Sequence, residues 1–191
     1  LSYSTQDYAL REEAVHLPML FHATGEDVLA FGQGAGALEE ILKHRGTSVD
    51  YVELDSIALE TIRPYLPASS QKSLSDPRVS VLFMDPRRFI KFTSAHYDVI
   101  LIDLPLPSTA MLNRCYTIEF FREAGELLKK GGILSLGLPS SEAYLGREMR
   151  LLSTSIMRSL KMVFPYVRAI PGETTYFISS YDPGLMKATP E

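Results

Sequence analysis

Four short apolar runs recur along the first half of the chain: "EDVLAFG" (26–32), "SVDYVELD" (48–55), "RVSVLFMD" (78–85) and "YDVILID" (97–103). Each closes on a glycine or a carboxylate. Helical patterns separate the first four elements: "ALEEILKHRG" (37–46), "SIALETIRPYLP" (56–67) and "PRRFIKFT" (86–93). Runs this short and this apolar, rich in β-branched and aromatic residues, read as strands buried on both faces. Strands alternating with helices are joined by right-handed crossovers into a parallel sheet with helices on each side. The pattern therefore predicts an α/β chain with a doubly wound, Rossmann-like, mostly parallel sheet.

The rest of the chain extends that plan. A lead-in helix within 1–24 carries Leu10, Ala14, Val15 and Leu17 near helical spacing until Pro18 limits it. Ser56 is the expected cap of the second crossover helix. An amphipathic helix over 117–130 is stopped by Gly131 and Gly132, and a fifth strand covers 132–138. A long helix over 141–164 precedes two closing strands, 166–170 and 175–181, around the turn "PGET". With no internal repeat or low-complexity linker, residues 1–191 read as one domain.

Composition narrows the classes. A net charge of −4 lacks the clustered basic excess that nucleic acid would require, and suits a cationic substrate better. The single cysteine, Cys115, can form no internal disulfide, and the four histidines show no metal-ligand spacing, so no metal is expected. No apolar run approaches the roughly 18 residues that span a bilayer. The expectation is a soluble, cytoplasmic domain. Its start at Leu1 rather than Met is read as the beginning of a piece of something longer.

In an open parallel sheet, ligands bind beyond the carboxyl ends of the strands. Those ends hold Gly32 to Gly36, Glu53 with Asp55, Asp85 and Asp103. In "GQGAG", Gly32, Gln33, Gly34 and Gly36 form either a phosphate- or nucleotide-approaching turn or a tight strand-to-helix turn. Glu53 lies about 20 residues further on, where an acid accepts hydrogen bonds from ribose hydroxyls; it is read first as a ribose ligand and second as a solvated strand-end acid. Asp55 is read first as a solvated strand-end acid and second as a ribose ligand. Asp85 stands where it reads an adenine amino group or caps the helix opened by Pro86, or does both. Asp103 follows four apolar residues and enters the stiff loop "LPLPST". Asp103 is read there either as a base, its carboxylate partly desolvated, or as an acid that caps the loop. Thr117 is a good cap for the following helix, and "KHR" (43–45) complements the carbonyl end of its own helix.

The order and spacing of "GQGAG", "VELD", "MDPRRF", "YDVILIDLPLPST" and "CYTIEFF", with the flanking "EEAVHLPML", "YLP", "DPRV" and "VFPYV", resemble the spermidine synthase family of polyamine aminopropyltransferases over roughly 7–180. The resemblance implies a sheet of the class I S-adenosylmethionine-dependent methyltransferase type. It also implies a decarboxylated S-adenosylmethionine or S-adenosylmethionine co-substrate and a small amine acceptor. Gly32, Gln33, Gly34, Gly36, Glu53, Asp55 and Asp85 would bind the adenosyl group, with Glu53 on the ribose and Asp85 on the adenine. Asp103 would be the base, and Asp103 and Tyr116 would contact the amine. The ending "IPGETTYFISS" is most similar to relatives in which such a domain follows a membrane region. A membrane region in the full-length chain and a homodimer are therefore further expectations, while the family's N-terminal β domain is largely absent.

The chain departs from the family at four places. Ala35 and Leu106 stand where the family carries acids, Leu10 and Arg11 replace a tyrosine followed by glutamine or histidine, and Pro86 replaces a glycine. Lost carboxylates remove partners for a substrate ammonium, and Arg11 would repel one. The adenosyl half thus reads as better kept than the amine half. The expected function is aminopropyl transfer to an amine, and putrescine is expected to be a poor acceptor. The alternatives are a non-catalytic adenosyl-binding sensor domain and an S-adenosylmethionine-dependent methyltransferase.

Overall fold

In the computed structural model, which describes residues 8–22, 25–32, 34–140 and 146–187, the apolar runs lie side by side in one seven-stranded sheet. Helix α1 (Tyr8–Met19) leads into β1 (Asp27–Phe31), α2 (Gly34–Leu42), β2 (Ser48–Glu53) and α3 (Ser56–Ile62). Then come α4 (Ala68–Ser73), β3 (Val79–Phe83), α5 (Pro86–Phe92), β4 (Tyr97–Ile102) and α6 (Ala110–Asn113). The remainder is α7 (Ile118–Glu126), β5 (Leu128–Pro139), α8 (Arg147–Lys161), β6 (Tyr166–Ile170) and β7 (Thr174–Ser180).

The strand order is β3-β2-β1-β4-β5-β7-β6. Pairings from β3 through β5 are parallel, and β7 runs antiparallel to both its neighbours. The sheet is doubly wound and mostly parallel, as the alternation predicts. Successive residues of β1 feed opposite cores. Leu29 and Phe31 pack with Ile100, Phe120 and Leu134 on one face, whereas Val28 and Ala30 pack with Leu38, Ile41 and Val99 on the other. A strand buried on both sides must be apolar throughout, which explains the unbroken runs.

Several boundaries differ from the sequence reading. Helix α2 begins at Gly34 and ends at Leu42, so two of the three glycines lie within its first turn. Lys43 does not serve the carbonyl end of that helix; its ammonium pairs with Glu40 at 2.6 Å. Asp55, not Ser56, caps α3, accepting from the Ala58 amide at 2.9 Å. Helix α7 stops four residues short of the expected end. Leu128 is drawn into the sheet beside Tyr97, and Lys129 reaches the carboxylates of Asp98, at 3.0 Å, and Asp27. Helices α4 and α6, which lack apolar periodicity, were not foreseen. The first five residues of the helix expected over 141–164 lie outside the described residues.

Candidate functional site

Register brings the strand ends together. Phe31 of β1 is level with Val52 of β2 and Ile102 of β4, so the next residues, Gly32, Glu53 and Asp103, form a row at the carboxyl edge. Backbone bonds hold the row: the Gly32 amide donates to the Val52 carbonyl at 3.3 Å and the Asp103 amide to the Phe31 carbonyl at 3.0 Å. Gly32 has a φ of +71°, and a β-carbon there would fall 2.7 Å from the Asp103 carbonyl oxygen. Only glycine meets both conditions.

Above this row opens a cavity of 1080 Å³. Its floor is Gly32, Gly34, Gly36, Glu53, Asp55 and Asp103; one wall comes from Leu10, Arg11 and Ala14 of α1, another from the loop after β4, and a third from β5 and β7. The space is that of a drug-sized ligand site at the point where the strand order reverses. Gln33 lies outside the described residues.

Glu53 is 5% exposed. Its Oε2 accepts from the hydroxyl of fully buried Tyr51 at 2.8 Å, and its Oε1 from the Asp55 amide at 3.1 Å. These donors orient the carboxylate and leave lone pairs toward the cavity, since a carboxylate offers about four acceptor sites. Tyr51 had no place in the sequence reading. Its signal was the i, i+2 spacing that puts Tyr51 and Glu53 on one face of β2.

Asp103 is exposed and lines the cavity, beside Leu104, which is buried. Burial pushes its carboxyl up from the ordinary value of 3.8 to about 6, and no cation or hydrogen-bond donor offsets that rise. Water reaching it from the cavity softens the effect but leaves its direction. The group is a carboxylate at neutral pH and a stronger base than a solvated one. Tyr176 of β7 lines the same space; its hydroxyl approaches the Leu10 carbonyl at 3.4 Å, and burial together with the Asp103 charge raises its phenol. Tyr176 also escaped sequence reasoning, because nothing local joins β7 to β4.

Two expected residues do not line the cavity, and of the readings offered for Asp85 the capping one is realised. Asp85 is not among those lining the cavity; it caps α5, accepting from the Arg87 and Arg88 amides at 3.0 and 3.2 Å, and pairs with Arg114. Tyr116 is also absent from the lining, and its hydroxyl points to the backbone of the β4 loop, 2.7 Å from the Leu104 carbonyl and 3.1 Å from that of Pro105. Among the described residues no helix is long and apolar enough to cross a membrane.

The spermine/spermidine synthase domain matches residues 8–183. The chain belongs to the spermine/spermidine synthase family. A polyamine aminopropyltransferase of Korarchaeum cryptofilum is 34% identical over 129 residues, which cover 67% of this chain and 40% of that relative. The chain thus spans well under two thirds of that family member. A spermidine synthase solved with the transition-state analogue AdoDATO shares the fold, with a TM-score of 0.81 at 24% identity over 95% of this chain and 64% of the other. Human methyltransferase-like protein 13 in complex with SAH gives a TM-score of 0.68 at 18% identity, covering 93% and 87%. The family's sheet is thus of the class I methyltransferase type, and this chain has it.

Proposed function

We propose that this chain transfers an aminopropyl group from decarboxylated S-adenosylmethionine to an amine. The observation that carries the reading is the row Glu53, Gly32, Asp103 at the floor of one cavity, with a hydrogen-bonded carboxylate at one end and a second carboxylate open to the cavity at the other. Membership of the family supports it, as does the analogue held by the spermidine synthase of the same fold.

In this reading Glu53 accepts from the ribose hydroxyls, Gly32 and Gly34 let the ligand approach the backbone, Gly36 makes room for the Arg11 guanidinium beside the same turn, and Asp55 adds negative charge near the sulfonium. Gln33 is assigned to the same adenosyl ligand. Asp85, whose carboxylate is engaged by α5 and Arg114, holds the turn between β3 and α5 beside the adenosyl end. Tyr116 acts on the amine indirectly, by positioning the loop that follows Asp103.

The chemistry asks little beyond placement. The amine nitrogen attacks the carbon next to the sulfonium, the carbon–sulfur bond breaks, and its electron pair stays on sulfur as the neutral thioether of 5′-methylthioadenosine. The proton lost by nitrogen passes to the Asp103 carboxylate. An activated leaving group makes orientation and water exclusion the main contributions. Incubation with the decarboxylated donor and a panel of amines should release 5′-methylthioadenosine in wild type and not in Asp103→Asn. Release that survives the substitution, or none with any amine, would overturn the reading.

A further inference from the structure

The row at the carboxyl edge of the sheet does not stop at Asp103. Ile102 of β4 is level with Leu136 of β5, so Gly137 stands beside Asp103, and Gly137 faces Tyr176 of β7 in the antiparallel ladder. The edge therefore runs Glu53, Gly32, Asp103, Gly137, Tyr176, with a glycine between each polar side chain and the next. The adjoining residues Val52, Phe31, Ile102, Leu136 and Phe177 all enter the core on one face of the sheet. Strand alternation then points the whole row to the other face, where α1 packs through Val15 and Met19.

Gly137 is what brings Tyr176 to Asp103. A β-carbon there would fall 3.2 Å from Tyr176 Cε1, so the ring lies across the bare glycine in the direction of Asp103. Both side chains line the cavity. The Tyr176 hydroxyl donates toward the Leu10 carbonyl 3.4 Å away, and a phenol oxygen accepts as well as donates. Burial and the Asp103 charge raise this phenol, so it keeps its proton at neutral pH. A carboxylate and a phenol oxygen thus border one space at the same height of the sheet.

We propose that Tyr176 is a catalytic residue of the acceptor site, accepting one N–H of the attacking nitrogen while Asp103 takes the other, so that the acceptor is a primary amine. The proposal rests on the aminopropyl-transfer reading above. An uncharged primary amine has two N–H bonds and one lone pair; with both N–H bonds held, the lone pair is turned to the donor carbon. The nitrogen–carbon bond forms, the carbon–sulfur bond breaks with its electron pair left on sulfur, and the proton given up passes to Asp103. Tyr176 exchanges no proton, and its contribution is orientation. A secondary amine has a single N–H, which Asp103 needs, and loses the bond to Tyr176.

Release of 5′-methylthioadenosine from the decarboxylated donor tests this, with butylamine, propane-1,3-diamine and butane-1,4-diamine each set against the counterpart methylated once on every nitrogen. The fastest primary amine should exceed its counterpart about tenfold or more in kcat/KM. Tyr176→Phe keeps the ring over Gly137; it should slow that primary amine about tenfold while the methylated counterpart and the affinity for 5′-methylthioadenosine each stay within about twofold. A purely structural tyrosine would slow both acceptors alike. Should the variant not fold, Gly137→Ala, whose added carbon displaces the ring, takes its place. A wild-type ratio near one, or a variant that slows both acceptors alike or neither, overturns the proposal alone. No release from wild type with any amine overturns the transferase reading and this inference with it.

Discussion

The Tyr116 hydroxyl donates to the Leu104 carbonyl oxygen 2.7 Å away, tying the start of α7 to the residue that follows Asp103. The Pro105 carbonyl shares the same hydrogen at 3.1 Å. Proline at 105 and 107 already stiffens this loop, and the tyrosine fixes where the stiff segment lies. Tyr116→Phe leaves two carbonyls without that donor. Thermal and urea unfolding should show a loss of about 1–2 kcal/mol, with transfer slowed more than ligand binding is weakened.

Asp103 makes pH a direct probe. Its carboxyl is raised from 3.8 to about 6, so between those values the folded protein holds a proton that the unfolded chain has released. Stability contributed by this group is therefore greatest at the acid side of the window and falls as pH rises through it. Activity runs the other way, because the base must be ionised: kcat/KM should rise through an apparent pKa near 6 and then level. Asp103→Asn should remove both trends while leaving 5′-methylthioadenosine affinity within about threefold.

Glu53 is assigned to the ribose. Glu53→Gln keeps the shape but weakens charge-assisted acceptance, and 5′-methylthioadenosine should bind about 10- to 100-fold more weakly. An unchanged affinity would remove Glu53 from the ligand site. Because Tyr51 is fully buried against this carboxylate, Tyr51→Phe should weaken the same affinity in smaller measure.

Gly32→Ala combines a left-handed φ of +71° with a 2.7 Å approach to the Asp103 carbonyl. Strain of about 2 kcal/mol or more should appear in the unfolding free energy. Because the β-carbon presses on the residue that carries the base, transfer should fall in the remaining folded protein too. Gly46→Ala is the control. Its φ is +80° with nothing within 4 Å of the added carbon, so it should lower stability and leave activity unchanged.

Much of this was legible in the residues alone. The apolar runs announced a parallel sheet because a strand covered on both faces can carry few polar side chains, and the alternation with helices left little choice of topology. The strand ends then locate Gly32, Glu53 and Asp103 from the residues alone. Helix ends were harder. The chain 126–132 has good helix formers in Leu127, Lys129 and Lys130, yet pairing of Leu128 with Tyr97 and the attraction of Lys129 for Asp98 won over propensity.

The sequence by itself determined which backbone positions reach the carboxyl edge of the sheet, because strand period, glycine and helix-capping preferences act over a few residues. Only the tertiary structure decided which side chains face the cavity. Asp85 and Asp103 both end apolar strands, but Arg114, 29 residues beyond Asp85, holds its carboxylate, while nothing offsets the desolvation of Asp103. Arg11 and Tyr176 lie 165 residues apart in the chain and line one cavity because α1 packs beside β7. Such partnerships are set by strand register and helix packing, and these depend on the whole core rather than on any local spacing.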